Sequence, residues 1–430
     1  MAPTAERVKR AQPALLATFV LVGHAALSSV AWVPEYIDRL GVSFSEWGAI
    51  LGFAVVGAIV PLMFASRFVV RYGTRPLMRT GLVIAMVFLV GLGLITNPIL
   101  WALCNMAFTF SLTFMGNAVN THGVVIQAHV PRPIVTRLHA GWSIGAVLAA
   151  LTGGVATVVI ELEVYLIAVA IFSLVAFEFL RPHLLSPDED GHEADGASHV
   201  KRRFWQVPGQ LWVLSFGLIA AGYPEFAVVD WATVFARDVL EVELALRTIP
   251  FATFMAGMII GRLSMTTLAT RSHPHTIASW GAGIAAVTML VTIFGAGLVA
   301  QSSPIAGLAL LSVGWLIVGL GLSGVAPTFI AAAAHVPKVS TAWALSRMQL
   351  ITQFAMIGAK SLMGALAESF SVSIAFLFPV VLLVAAAVIA RTTTEMAESS
   401  ELDTSAPSTG SIALPVIADW ESGDDTKKTN

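Results

Sequence analysis

Residues Ala14 to Val33 read ALLATFVLVGHAALSSVAWV, twenty residues without one Asp, Glu, Lys or Arg. As a helix this run is about 30 Å long, the thickness of a bilayer's hydrocarbon core. Arg7, Lys9 and Arg10 precede it, and Ser29-Val30-Ala31 offers the small residues of a cleavage site, as in a signal peptide. The run is longer than a normal signal core, so it reads as a retained first spanning helix.

Outward from this stretch the chain repeats the pattern. Further apolar runs lie at about 46–66, 76–96, 98–122, 138–160, 162–180, 209–235, 247–268, 275–298, 304–333, 341–368 and 372–390, making twelve with the first at 14–34. The fifth and sixth are separated only by a turn holding Glu161 and Glu163. In lipid every backbone amide needs an internal partner, so such runs are helices and the chain is an all-α integral membrane protein. Composition agrees: of 430 residues 57% are hydrophobic and 12% charged, about half the charged fraction of a soluble domain. A net charge of −2 leaves no footprint for nucleic acid. Cys104 is the only cysteine. It permits no disulfide within the chain and no thiol-rich metal site, and reads as a small buried residue.

Lys and Arg orient the spans. With the N-terminus inside, all but four of the 24 fall on the inner side; Arg39, Arg237 and Arg247 lie outside, and Lys360 lies within a span. That bias predicts cytoplasmic termini and an even number of spans. The domain reading follows: an arm over 1–13, a six-helix half over 14–181, a cytoplasmic linker over 182–208, a second six-helix half over 209–391 and a tail over 392–430. The linker region is polar and aperiodic. Its His183, His192 and His199 fit no tight metal spacing, so it reads as a flexible tether. The tail, rich in Ser, Thr, Asp and Glu, reads as disordered.

The halves echo one another. Trp32 near the end of span 1 is followed by Arg39-Leu40-Gly41, then span 2 and Ser66-Arg67-Phe68. Trp231 near the end of span 7 is followed by Arg237-Asp238-Val239-Leu240, then span 8 and Gly261-Arg262-Leu263. Matching order, side and spacing point to duplication, with a cavity between the halves where alternating access operates.

The loop Ser66-Arg67-Phe68-Val69-Val70-Arg71-Tyr72-Gly73-Thr74-Arg75 resembles the signature G-x-L-a-D-r-x-G-r-r of the major facilitator superfamily. Arg71, Gly73 and Arg75 match; the usual Asp is Val70, and in the second copy Met265. In the family that Asp helps lock the cytoplasmic gate, so both departures put the usual lock in doubt. Other stretches resemble a bacterial subgroup related to fucose-permease-type sugar permeases: Asn120-Thr121-His122-Gly123-Val124, Arg132-Pro133-Ile134, His139-Ala140-Gly141-Trp142-Ser143-Ile144-Gly145, Glu225 with Asp230-Trp231-Ala232, and Gly321-Leu322-Ser323-Gly324-Val325-Ala326-Pro327. The resemblance covers about residues 14 to 390. It implies transport and names no substrate. Those sugar permeases use acids in spans 1 and 4 for proton coupling, and neither core has one here; Glu35 and Asp38 sit only at the outer end of span 1.

An ionisable group inside a membrane is costly and marks a functional hypothesis. Glu225 lies past the middle of span 7 after Gly222 and Pro224, where a broken helix is expected. It reads either as a proton carrier or as a carboxyl held for packing. Asp230, a turn further out beside Trp231, has a direct role or marks the interface. Lys360 sits where the subgroup usually carries prolines. It pairs with Glu225 or with an anionic substrate group, or else snorkels to the headgroups. His24 in span 1 and His122 in span 4 are titratable or serve as neutral bonded imidazoles. Asn117 and Asn120 share a face of span 4 and bind either hydroxyls in a cavity or a neighbouring helix. Arg71, Gly73, Arg75, His139 and Arg262 are the candidate cytoplasmic gate. Gly141 and Gly145 have the spacing of close helix packing.

The expected function is secondary transport of a small organic solute, sugar-like on uptake or drug-like on export, by a monomer in the cell membrane. Protons are the candidate coupling ion, and no cofactor or metal is expected. An uncoupled facilitator and a transport-fold sensor remain as alternatives. A membrane-embedded transferase is a further one, and the short outer loops leave little room for its catalytic groups.

Overall fold

Hydrocarbon offers a backbone amide no water, so the spanning chain satisfies its own groups as helix. The computed structural model, which describes residues 3–130, 134–190, 207–268, 272–333, 336, 339 and 341–403, is helical throughout, with no strand among the described residues. In the first half, α1 (Ala5–Leu27), a 3-10 turn (Val30–Trp32) and α2 (Val33–Leu40) form the first span. They are followed by α3 (Phe44–Tyr72), α4 (Thr74–Leu94), α5 (Pro98–Gln127), α6 (Val135–Ala156) and α7 (Leu162–Leu180). The second half has α8 (Gly209–Asp238), α9 (Ile249–Leu268), α10 (Pro274–Ala300), α11 (Pro304–Leu322) with α12 (Val325–Ala333), α13 (Thr341–Ser369), and α14 (Val372–Ala375) with α15 (Leu377–Asp403). Together they give 12 stretches long and apolar enough to cross a membrane.

Local chemistry fixes the ends. Gly41 closes α2 at φ +62°, a conformation glycine adopts freely. Ser43 opens α3 in a reciprocal box, its hydroxyl accepting from the Glu46 amide and its amide donating to the Glu46 carboxylate. Asn97 accepts from the amides of Ile99 and Leu100 ahead of Pro98.

Four boundaries differ from the sequence expectation. The arm is helical from Ala5, and α15 continues past residue 391 to Asp403, because Glu395, Met396, Ala397 and Glu398 are good helix formers. Span 7 is not broken at Gly222 and Pro224: α8 runs through both. A proline inside a packed bundle costs one backbone bond that neighbours can compensate. The interruptions fall instead at Ser28–Ser29 in span 1, Ser323–Gly324 in span 10 and Phe376 in span 12. His192, His199 and the tail beyond Asp403 lie outside the described residues.

Helix pairing repeats between the halves. α1 packs on α6 as α8 packs on α13, α3 on α5 as α9 on α11, α4 on α5 as α10 on α11, and α4 on α7 as α10 on α15. The spacing of Gly141 and Gly145 does what it predicts: a Cβ at Gly145 would lie 2.1 Å from the Val20 carbonyl oxygen. Outward faces stay apolar. Val287, Val291 and Leu298 of α10 and Val381, Val384 and Val388 of α15 are exposed, one face each at helical spacing, as lipid contact requires.

The halves meet along α3 with α13 and α6 with α9, two pairs related by the duplication. At the end holding the Gly41 turn they are sealed. A Cβ at Gly48 would fall 2.7 Å from Gly364 Cα and 2.8 Å from the Lys360 carbonyl oxygen. Phe44 N donates to Glu368 at 2.8 Å, Thr233 Oγ1 to the Val30 carbonyl at 3.2 Å, and Arg237 to Asp38 at 2.9 Å and the Pro34 carbonyl at 3.1 Å.

At the other end, the start of the linker folds back on the first half. Leu184 and Leu185 are fully buried. His122 Nε2 accepts the Leu185 amide at 3.2 Å, so its proton sits on Nδ1, which donates to Thr74 Oγ1 at 2.7 Å. That hydroxyl donates to Asp190 Oδ2 at 2.8 Å, and the Thr74 amide donates to the same oxygen at 2.7 Å. Asp190 thereby caps α4 from the linker. Arg7 grips Glu189 through two bonds, at 3.1 and 3.0 Å, and donates to the Leu184 carbonyl at 2.9 Å.

Loss of this cap in Asp190→Ala is expected to cost about 0.5–2 kcal/mol, read as a lower melting temperature in detergent. An unchanged melting temperature would remove Asp190 from this role. The Arg7 guanidinium, with added bonds from Ser186, holds the Glu189 carboxyl down at about 2. A depressed carboxyl contributes stability above its unfolded value of about 4.3 and loses it as pH falls towards 2. The stability difference between wild type and Arg7→Gln is therefore expected to be full at pH 6 and to shrink between pH 4 and pH 2. A difference that stays constant to pH 2.5 would contradict the assignment.

Candidate functional site: a charged wall in the cavity between the halves

Between the halves lies a cavity of about 590 Å³, the size that holds one small organic molecule. Its closed tip is aromatic. The rings of Tyr36 and Trp101 are 5.0 Å apart and those of Trp47 and Trp101 5.2 Å apart. Asn120 and His139, both exposed, stand toward its open end. One face of α5 lines it with Asn105, Thr109, Thr113 and Asn120 at helical spacing.

Charge is distributed unevenly. Every Asp, Glu, Lys and Arg on the cavity wall comes from the second half: Glu225 and Asp230 from α8, Arg262 from α9 and Lys360 from α13. The first half contributes rings, aliphatic groups, hydroxyls, amides and His139. Lys360 Nζ bonds Asp230 Oδ2, each side chain being 10% exposed, and lies 5.2 Å from the centre of the Phe226 ring. Arg262 reaches across the interface. One of its nitrogens donates to the Ser143 hydroxyl of α6, and another stands 3.9 Å from Glu225 Oε1. The two ion pairs leave the wall neutral, as a dry, low-dielectric place demands.

The chain is similar to several transporters in sequence or in fold. The uncharacterized transporter y4wD of Sinorhizobium fredii is 27% identical over 368 residues, covering 84% of this chain and 92% of its own length. An MFS-type transporter of Yersinia pestis is 21% identical over 376 residues, 86% of this chain and 93% of its own. Among solved structures, the nucleoside transporter NupG superposes over 91% of this chain and 99% of its own, with a TM-score of 0.65 and 14% identity. A bacterial homolog to the human lysosomal transporter Spinster, inward-facing and unoccupied, covers 91% of this chain and 98% of its own, with a TM-score of 0.68 and 15% identity. The chain is similar in sequence to proteins named as transporters, one of them of the major facilitator type, and shares its fold with solved transporters. No protein-family model matches it.

In this chain the sequence-selected residues separate into groups. Glu225, Asp230, Lys360, Arg262, His139 and Asn120 line the cavity. Lys360 takes Asp230 as its partner, not the expected Glu225, because one helical turn further along α8 meets α13 at the level of the ammonium. Asn117 is absent from the cavity wall, and its amide donates to the Thr113 carbonyl of its own helix at 2.9 Å. His24 turns into the first half, where Nε2 meets Thr152 Oγ1 at 3.2 Å and the ring stands edge-on to Phe172. His122 is buried in the linker clasp. Arg71 is exposed and stacks on Tyr72 at 5.3 Å. Gly73 adopts φ +76° beside Asp190, and Arg75 lies in the first turn of α4. Gly73 and Arg75 therefore lie at the clasp, Arg71 stays on the exposed end of α3, and His139 and Arg262 belong to the cavity. At the second motif copy Met265 packs its side chain against Gly324, in the break between α11 and α12.

Sequence reading missed Phe226 and Gln353 on the wall, the buried Ser143 that Arg262 bonds, and Asp190 in the clasp. The spacing of Asn105, Thr109, Thr113 and Asn120 was a readable signal. Asp190, one acid in a run of three, carried none.

Removing one member of a buried ion pair costs about 3–5 kcal/mol, while replacing both is close to neutral. Lys360→Met and Asp230→Asn alone are therefore expected to lower the melting temperature sharply, and the double variant to recover most of the loss. Additive losses in the double variant would mean that the two charges do not interact.

Proposed function

We propose that this protein is a proton-coupled transporter of a small organic solute working by alternating access, with Asp230–Lys360 as the coupling pair. The supporting observation is the pair's position. Lys360 joins the α8 carboxylate, and its own carbonyl lies against Gly48 in the contact that seals one end of the cavity. Protonating Asp230 removes the counter-charge of Lys360 and changes the forces one residue away from the seal. The Lys and Arg distribution supports a reading with both termini in the cytoplasm. The sealed end is then outside and the cavity faces inward. Glu225 and Arg262 form a second acid–base pair nearer the cytoplasm, and His139 stands at the inner mouth. Opening outward requires α3 and α13 to part at Gly48 and Gly364, and α6 and α9 to close around Arg262 and Ser143.

The test is proton movement. The protein is reconstituted in liposomes with a pH-sensitive dye inside, and sugars, organic acids and cationic drugs are supplied in turn. The expected result is a substrate-dependent pH change in wild type that disappears in Asp230→Asn while substrate binding persists. Binding of a compound whose transport moves no protons would overturn the coupling and leave a facilitator.

A further inference from the structure

We propose that the substrate is a singly charged organic anion with an apolar, ring-sized body, held by the ammonium of Lys360 and entering together with one proton. This rests on the proton-coupled reading of the same cavity. The argument is one of charge. The empty wall holds two carboxylates and two cations and is neutral. A proton taken up by either pair can act only on its acid, because the ammonium and guanidinium already carry theirs. Uptake at Asp230 frees Lys360, and uptake at Glu225 frees Arg262, so in both cases the wall gains one uncompensated positive charge. A buried cation left alone is costly, and an anionic group is the ligand that satisfies it. A cationic substrate would add to the excess.

The titratable and charged groups around Asp230 support the same sign. Lys360 faces it from α13, Tyr223 shares its own helix, and Glu225, Arg262, His139 and Tyr36 complete the cavity. Glu225, the other acid of the wall, already faces Arg262 at 3.9 Å, so once the proton is on Asp230 an incoming cation would have to compete with that guanidinium. Lys360 is the receiver, since its flexible stem ends beside the Phe226 ring, while Arg262 is already bonded to Ser143 across the interface. The body of the ligand is read from the opposite wall. The first half presents Phe19, Trp47, Trp101, Phe108 and Trp142 and no charged group. A molecule lying across the cavity therefore meets charge at one end and aromatic faces at the other.

The test uses the full-length protein in nanodiscs and three probes of one shape: phenylacetate, phenylacetamide and phenethylamine. Binding is followed by quenching of the cavity tryptophans at pH 5.5 and pH 7.5, and alkanoates of four to ten carbons extend the anion series. The expected result is that phenylacetate binds at least about tenfold more tightly than the amide and the amine, and more tightly at pH 5.5 than at pH 7.5. In Asp230→Asn the carboxylate preference is expected to persist at both pH values. In Asp230→Asn/Lys360→Gln, which leaves no unpaired charge, it is expected to vanish. Equal binding of acid and amide across the whole series, or preference for the amine, would overturn the anion. Anion binding that is independent of pH in wild type would overturn the proton-coupled reading and keep the anion; proton movement driven only by neutral or cationic compounds would do the reverse.

Discussion

A charge in hydrocarbon must be neutralised on the spot, and this constraint organises the transporter more than any other. The buried pair of Asp230 and Lys360 joins α8 to α13 inside one half, and Arg262 bridges the halves through Ser143 while facing Glu225. Each cation has its partner within the wall. The price is that each charge state of the cavity belongs to a particular arrangement of helices. Ordinary packing could fill the same space with leucines at lower electrostatic cost, so holding four charges there fits a machine that changes its pairing.

The duplicated halves have divided their labour. Their helices pair in the same pattern, and the two main crossing contacts, α3 with α13 and α6 with α9, are related by the duplication. Yet the first half supplies an uncharged wall of rings and amides, and the second supplies the charge. The symmetry survives in the backbone, while the chemistry has become one-sided. A one-sided wall also fixes the direction in which a ligand lies.

Much of this was legible in the chain. Long apolar runs between charges gave the helices, because hydrocarbon allows few other solutions, and Glu161 and Glu163 marked the turn between α6 and α7. The glycine pair in α6 foretold close packing correctly. The three charges that matter most, Glu225, Asp230 and Lys360, stood out because each is rare in such a setting. Their pairing was not readable. Glu225 and Asp230 lie five residues apart on one helix, and only the level at which α13 crosses decides between them. His122 misled for a related reason: an imidazole in a span looks the same in sequence whether it faces a cavity or holds a backbone amide. The proline of α8 misled because tertiary contacts, absent from a sequence, tolerate it.

The clasp has a mechanical consequence. By tying Leu184–Asp190 to α1, α4 and α5, the first half moves the anchor of the connecting chain from the end of α7 to the rim of its own bundle. From Asp190 to Gly209 the chain can reach up to about 60 Å when extended. Any agent that releases the clasp returns that anchor to the end of α7 and lengthens the connection between the halves without touching the cavity.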